Sequence, residues 1–429
     1  MRGRRKHGNI YNFYIFSPTI THLFLFSVHF FTGIILKKTL ESTFDKKISF
    51  FLSLLFITFP FFTEQYGWLA ASNAVVANLL FITQLYIILK SNIGNRQKVI
   101  FVVLAQALSI LFYESVFFAF VPIALLLSAV NKESIKKSFV YGTIFSLPSL
   151  GYYLLRSFVF IAHDTKTVRN ITFTEFTNGQ WINLLFNNFS RLVTDLKFLL
   201  ISKGSFIFFW KNTLIKGLSS LYKDGFLFVA LAIFTVGISL FVLKNKENNK
   251  TSSRFSIYFL LLSLFTILPA LLVKVPSYPF RVIALPLFFL TMFVFLIFNR
   301  VSTKINYILI SALIVFNLIF SQQMLQLMGN QFNDDQNNVS KIVSVLDSQL
   351  EAGQKTDILI NDIPQSTQTE FIYGEYLSGC ISTDWCALSL LSRYTDKVTK
   401  VTVNKASADQ DKVIKFYFDK ESRQLLLQN

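Results

Sequence analysis

The sequence predicts an α-helical polytopic membrane protein, with about nine or ten membrane segments and a small C-terminal α+β domain. Hydrophobic residues make up 52% of the 429 residues and charged residues only 15%, whereas an ordinary soluble domain carries about 25% charged residues. Long apolar runs rich in phenylalanine indicate membrane helices, because phenylalanine inserts favourably at a helix centre. Beyond residue 324 the composition becomes that of a soluble domain.

Residues 1–323 form the predicted membrane domain. Most of its apolar segments approach the roughly 20 residues that a helix needs to cross a bilayer. The two segments at 99–113 and 116–130 are shorter, and we expect them to form a tight, partly re-entrant hairpin. The apolar segments are 16–37, 48–62, 69–89, 99–113, 116–130, 139–162, 225–243, 255–273, 280–298 and 306–323.

Basic residues between these segments predict the orientation. If every segment crosses, five clusters fall on one side, which the positive-inside rule makes the cytoplasm. The outer side then receives residues 63–68, Glu114, a loop over 163–224, a turn at 275–278 and the C-terminal domain. The net charge of +17 is therefore a topology signal, and it does not indicate nucleic-acid binding. The clusters lie at 37–47, 90–98, 132–137, 244–254 and 300–304.

The basic N-terminal stretch 1–6 contradicts this orientation, because it would lie outside. Either the segment 16–37 does not span the membrane, or an upstream helix is absent. A secretory signal is less favoured, because 16–37 is long, contains His22 and His29, and has no small-residue cleavage site. The two histidines lie seven residues apart on one helix face, which predicts a packed polar contact between helices.

Two extramembrane regions show their own patterns. Residues 324–429 form the predicted soluble domain, which begins with a polar linker at 334–338. Apolar residues at helical spacing within 181–199 indicate that the outer loop 163–224 is structured and lies in the membrane interface. For the C-terminal domain we predict a helix at 339–351 and strands at 357–363, 398–403 and 413–418.

Cys380 and Cys386 are the only cysteines, and both lie in the C-terminal domain. Their spacing suits a local disulfide, which persists in an oxidising compartment and agrees with an outside location. Two unpaired thiols are the alternative. No histidine accompanies them, so we expect no metal site there.

No motif of a soluble enzyme class is present, so the search for chemistry turns to ionisable residues in membrane segments. Glu64, Glu114 and Arg281 all lie on the predicted outer side. Two acids and an arginine facing one cavity suit a phosphate-bearing donor, with the arginine binding the phosphate and a carboxylate removing a proton. Arg156, inside the sixth segment, is a weaker phosphate candidate.

Each candidate also has a structural interpretation. Glu64 suits a solvated loop acid equally well, and Arg281 suits an anchor that snorkels to the interface. For Glu114 the functional interpretation is favoured, because an unpaired carboxylate in apolar surroundings costs several kcal/mol.

Four short motifs, in this order along the chain, give a further indication of fold and function. They are Ser17-Pro18 with His22, Pro60 with Glu64 and Trp68, Tyr113-Glu114-Ser115 before Pro122, and Tyr278-Pro279-Phe280-Arg281. Over residues 17–127 and 275–298 these motifs resemble the GT-C superfamily of polytopic glycosyltransferases, which includes bacterial bactoprenol-linked glucosyltransferases that modify O-antigen. The resemblance implies a GT-C-like fold.

Members of that superfamily place a catalytic acid in the first outer loop, directly after a first membrane helix. Residues 1–40 here contain no Asp or Glu, so the segment 16–37 resembles the family's second helix. We therefore expect an N-terminally truncated member, or one whose acid is supplied by Glu64.

The resemblance implies transfer of a sugar, a hexose such as glucose, from a polyprenyl-phosphate carrier to a cell-surface glycan such as lipopolysaccharide. The reaction would take place at the outer face of the cytoplasmic membrane, with the C-terminal domain helping to bind the acceptor. A divalent cation, Mg²⁺ or Mn²⁺, stays open as a cofactor. The implied residues are Glu64 and Glu114 for catalysis, and Arg281, Arg156, Trp68, Tyr113 and His22 for binding substrate or phosphate.

Two other classes stay open. A transporter or flippase of lipid-linked glycans is one, although we find no internal repeat of the kind that transporters often show. A catalytically inactive membrane partner is the other, because the acidic first loop is missing. The sequence leaves the sugar, the acceptor and the linkage undetermined.

Overall fold

A computed structural model describes residues 18–67, 71–161, 180–201, 253–272, 280–351, 353–362, 381, 384–392, 394–404, 413–419 and 424–427. The chain divides into two compact units, residues 1–322 and 323–429. The predicted segment at 225–243 and most of the loop 163–224 lie outside the described residues.

The described part of the first unit is helical. Nine of the ten predicted apolar segments coincide with its helices. In chain order these are α1 Pro18–Leu40, α2 Lys46–Thr58, a 3₁₀ turn Pro60–Phe62, α3 Thr63–Gly67, α4 Asn73–Leu89, α5 Asn95–Phe112, a 3₁₀ turn Glu114–Val116, α6 Phe120–Val130, α7 Ile135–Ile161, α8 Gln180–Ile201, α9 Ser253–Leu271, α10 Phe280–Val301 and α11 Thr303–Gln349, which continues into the second unit.

Four of the described helical stretches are long and apolar enough to cross a membrane, and α2 with the segment after it makes a fifth if the two count as one broken span. The helix at the segment predicted over 99–113 is longer than expected, and the partly re-entrant hairpin that it forms with 116–130 stays a prediction. Helix α5 begins four residues earlier, because the Gln97 side chain accepts a hydrogen bond from the Gly94 N–H at 3.3 Å and caps the helix. The four stretches are Ile20–Leu40, Asn95–Phe112, Arg281–Asn299 and Thr303–Gln322.

The helical segment after α2 makes an angle of 41° with α2. Proline has no N–H to continue the helical ladder, so Pro60 breaks the helix. Two histidines on α1 hold the broken segment from either end. His29 Nε2 lies 3.3 Å from the Ile57 carbonyl oxygen, and His22 Nδ1 lies 2.9 Å from that of Tyr66. The predicted polar contact between helices is therefore confirmed.

Helices α1 and α2 approach each other closely beside this bend. A Cβ atom at Gly33 would lie 2.4 Å from Ile57 Cγ1, so only glycine fits there without a shift. The Ser53 hydroxyl donates a hydrogen bond to the Gly33 carbonyl. Small residues allow such contacts between helices in an apolar environment.

Helix α8 lies within the predicted outer loop, so the expectation of structure there is confirmed for residues 180–201. The Asn188 amide donates to the Leu271 carbonyl of α9 at 2.8 Å. Ile182, Phe186 and Phe189 are exposed along the helix. Its location in a membrane interface stays a prediction.

The second unit contains a four-stranded sheet in the order β2-β1-β3-β4. Strand β1 pairs in parallel with β2 and β3, and β3 pairs antiparallel with β4. The three predicted strands are confirmed, and β4 is an addition. The elements are β1 Thr356–Asn361, a helix α12 Asp384–Leu391, β2 Val398–Val403, β3 Val413–Asp419 and β4 Gln424–Leu427.

The predicted linker at 334–338 is wrong, because these residues continue helix α11. Asn338 is buried, and its side chain accepts from the Leu425 N–H at 2.9 Å and donates to the Asp334 carbonyl at 2.9 Å. Val339 and Ile342, one turn further on, belong to the buried core. Tertiary contacts therefore hold a polar run in a helical conformation. Cys380 and the Cys386 side chain lie outside the described part, so the disulfide stays a prediction.

Candidate functional site

Glu64 and Arg281 form an ion pair between parts of the chain 217 residues apart. The guanidinium Nη1 donates to Glu64 Oε1 at 2.6 Å, and the backbone N–H of Arg281 donates to Glu64 Oε2 at 2.7 Å. The Glu64 side chain is 0% exposed and the Arg281 side chain 19% exposed. One carboxylate therefore binds both the charge of an arginine and its backbone amide.

Local structure explains why these two residues meet. Pro60 ends the run of α2 and turns the chain into the short helix α3, whose first turn contains Glu64. Arg281 lies in the first turn of α10, where backbone N–H groups have no partner within the helix. A carboxylate near a helix N-terminus is stabilised by those groups and by the helix dipole. Glu64 thus caps α10, and the pairing offsets the cost of its burial.

Neighbouring amides strengthen the same contact. Gln65 Nε2 donates to the Arg281 carbonyl at 3.1 Å, and Asn78 Nδ2 donates to Gln65 Oε1 at 2.7 Å. Both amides are buried. Neither amide was predicted as a site residue, although Gln65 is adjacent to Glu64 and Asn78 is a polar residue within an apolar run.

A second turn brings Tyr113 and Glu114 to the same place. Tyr113 lies close enough to Arg281 and Glu64 for both charges to act on its hydroxyl, as does the charge of the adjacent Glu114. Burial raises the pKa of the Tyr113 hydroxyl above its ordinary value, while the Arg281 charge acts in the opposite direction. The hydroxyl is therefore protonated near neutral pH and can donate a hydrogen bond.

Helix α7 holds this second turn in position. Tyr152 donates its hydroxyl hydrogen to Glu114 Oε1 at 2.5 Å. One turn earlier, the Ser149 hydroxyl donates to the Phe117 carbonyl at 2.7 Å. Glu114 is partly exposed, in contrast to Glu64. Sequence analysis missed Tyr152, because nothing in its own segment indicates a partner 38 residues away.

Four of the predicted site residues are therefore brought together, namely Glu64, Arg281, Tyr113 and Glu114. His22 contacts the backbone of Tyr66, two residues beyond Glu64. Trp68 and the side chain of Arg156 lie outside the described part of the chain, so their assignments stay predictions.

The divalent cation that was left open as a cofactor does not fit the described donors. No group of three His, Cys, Asp or Glu side chains suited to a metal ion occurs among the described residues. Both Glu64 oxygens already accept N–H donors, and the guanidinium 2.6 Å away would repel a cation. We therefore derive no step through a metal.

The described arrangement combines two chemical capacities. A guanidinium, a protonated phenol and a helix N-terminus together suit an anion with several oxygens, such as a phosphate. A partly exposed carboxylate beside them suits proton transfer. No family model, curated protein or solved structure matches this chain.

Proposed function

We propose that this chain is a membrane glycosyltransferase that moves a sugar from a polyprenyl-phosphate carrier to a hydroxyl of a glycan acceptor. One observation carries the proposal. Tyr113 lies within range of the Arg281 charge, and the next residue in the chain is Glu114, a partly exposed carboxylate. An anion site next to a proton acceptor is what transfer from a lipid phosphate to an alcohol requires.

In the proposed reaction, an acceptor hydroxyl oxygen forms a bond to the anomeric carbon of the sugar. The bond from that carbon to the phosphate oxygen breaks, and the phosphate leaves with the electron pair. Arg281 and Tyr113 stabilise the charge that develops on the leaving oxygen. The hydroxyl proton passes to Glu114, which Tyr152 holds by a hydrogen bond.

Helix ends support a location of this site at the outer membrane surface. Helix α10 begins at the site and has 22 residues, which corresponds to a length of about 33 Å. Its other end, at Val301, lies among the basic residues at 300–304. Helix α1 passes His22 near the site and ends with Lys37 and Lys38. Basic residues at the far ends favour a cytoplasmic location for those ends. The proposed enzyme is therefore a multi-pass protein of the cytoplasmic membrane with an outward-facing site.

The test uses membranes that contain the full chain, supplied with polyprenyl-phosphate glucose or another labelled hexose donor and a glycan acceptor. We expect label in the acceptor, with losses of about 10²- to 10⁴-fold in Glu114→Gln. Glu41→Gln is a matched control, because Glu41 forms a remote ion pair with Lys37 at 3.3 Å. The control should retain transfer.

Absence of transfer with a panel of hexose donors and acceptors would reject the enzyme. Movement of the labelled lipid across the membrane without transfer would instead support a flippase. Retention of full transfer by Glu114→Gln would show that another group removes the proton.

A further inference from the structure

We propose that Glu64 occupies the place of the donor phosphate on Arg281, so that the phosphate binds by displacing this carboxylate. This inference rests on the proposed function, because it assigns a state to the same site. From Arg281, Glu64 accepts a guanidinium N–H and a backbone N–H at a helix start, at 2.6 and 2.7 Å. Phosphate oxygens bind the same pair of donors in proteins.

The Glu64 carboxylate takes the position that a phosphate group would have on Arg281. Its two carboxylate oxygens each accept one of these donors, which is the arrangement expected for two oxygens of a phosphate. The Arg281 side chain is 19% exposed whereas that of Glu64 is 0% exposed. The arginine is therefore accessible to an incoming ligand, whereas the carboxylate is not.

Charge requires that the two anions exclude each other. A phosphate and an ionised carboxylate on one guanidinium would repel strongly in a buried environment. Binding of the donor phosphate therefore has to turn the Glu64 side chain away from Arg281. The segment that carries Glu64 is separated from α2 by the break at Pro60, so its side chain can rotate without unwinding α2. The internal carboxylate lowers the apparent affinity for phosphate in proportion to the time it occupies the site.

Removing the buried Glu64 carboxylate should increase the affinity for the phosphate ligand. Purified full-length protein in lipid nanodiscs is titrated with farnesyl phosphate, with inorganic phosphate and farnesol as separate arms. We expect Glu64→Gln to bind farnesyl phosphate about 5- to 150-fold more tightly than the unchanged protein, the usual range for coupled sites. If Glu64→Gln also binds inorganic phosphate more tightly, the phosphate group is what the site recognises. If it binds farnesol more tightly, the proposal is overturned.

Glu114→Gln is the matched control. It removes the same negative charge close to Tyr113, but the Glu114 carboxylate accepts its hydrogen bond from Tyr152. A gain from general electrostatics would be equal in the two variants, whereas displacement predicts a larger gain for Glu64→Gln. The gain should also vanish in an Arg281→Gln background.

Equal or weaker binding by a folded Glu64→Gln variant would overturn the proposal. If that variant does not fold, Glu64→Asp decides, because its shorter side chain keeps the charge and weakens the contact. Tighter binding by Glu64→Asp supports displacement, and unchanged or weaker binding overturns it. These measurements need neither sugar nor acceptor, so they fail or succeed independently of glycosyl transfer.

Discussion

The turns at 59–67 and 113–117 each carry an acidic residue, yet they use it differently. Glu64 is fully buried and binds Arg281 through both oxygens. Glu114 is partly exposed and accepts a hydrogen bond from Tyr152. In the sequence the two acids look alike, since each lies between apolar stretches. Burial and hydrogen-bond partners therefore distinguish the two acids: Glu64 is enclosed by the fold, whereas Glu114 stays accessible.

The largest expected effect is at the buried pair. Glu64→Ala or Arg281→Ala should each lower the free energy of unfolding by about 3–5 kcal/mol, because Glu64 is fully buried, Arg281 is only 19% exposed, and each variant leaves one charge without the other. Thermal or denaturant unfolding in detergent measures this. The double variant Glu64→Leu with Arg281→Met should recover much of the loss. Additive losses in the double variant would show that the two residues do not act as a pair.

The amide network around the first turn should give the next largest effect. Asn78→Ala removes the donor to Gln65 Oε1 and leaves that buried oxygen without this hydrogen bond. We expect a loss of about 1–3 kcal/mol in the free energy of unfolding. The Ser149→Ala variant, which loses one hydrogen bond at the second turn, is a useful comparison and should cost less. The reverse order would contradict the view that the first turn is the more tightly held.

At the second turn, Tyr152→Phe should lower the free energy of unfolding by only about 0.5–1.5 kcal/mol, the usual value of one hydrogen bond. Its effect on transfer should exceed its effect on stability, because Glu114 loses the group that orients it. Initial rates with labelled donor, compared with unfolding curves of the same preparations, separate the two effects. A variant that loses stability and retains full transfer would exclude the orienting role.

The smallest effect on stability is expected for Glu114→Gln, at less than about 1 kcal/mol, because the side chain is partly exposed and its amide oxygen still accepts from Tyr152. A loss comparable to that of Glu64→Ala would mean that both turns serve the same structural purpose. Unfolding curves of the two variants, measured side by side, decide this.

Much of the helical framework was predictable from apolar runs, as α1 and α10 show. The strand at 398–403 was predicted with its observed ends, since its apolar and polar residues suit a strand with one buried face. The polar run 334–338 was assigned to a linker because local composition does not reveal that Asn338 binds the backbone of Leu425. Tertiary contacts overrode the local preference.

The site, too, was predictable in part. Its charged members were predictable, because ionisable groups are costly in apolar segments and therefore conspicuous. Pairing was not predictable, since the contact between Glu64 and Arg281 joins residues 217 positions apart. Gln65 and Tyr152 were missed for a related reason. A neutral polar side chain in an apolar run gives a weak signal, and its importance depends on which helix packs beside it.

The distance along the chain between Glu64 and Arg281 has a consequence for biosynthesis. A ribosome that adds about 5–20 residues per second needs about 10 to 40 s to make the 217 residues between them. During that interval the acid has no arginine to neutralise it. Until α10 has been made, water or another component must compensate the charge of Glu64. The turn at 59–67 therefore gains its contacts with Arg281 only when α10 has been made, and an early arrest of synthesis should leave this turn without them.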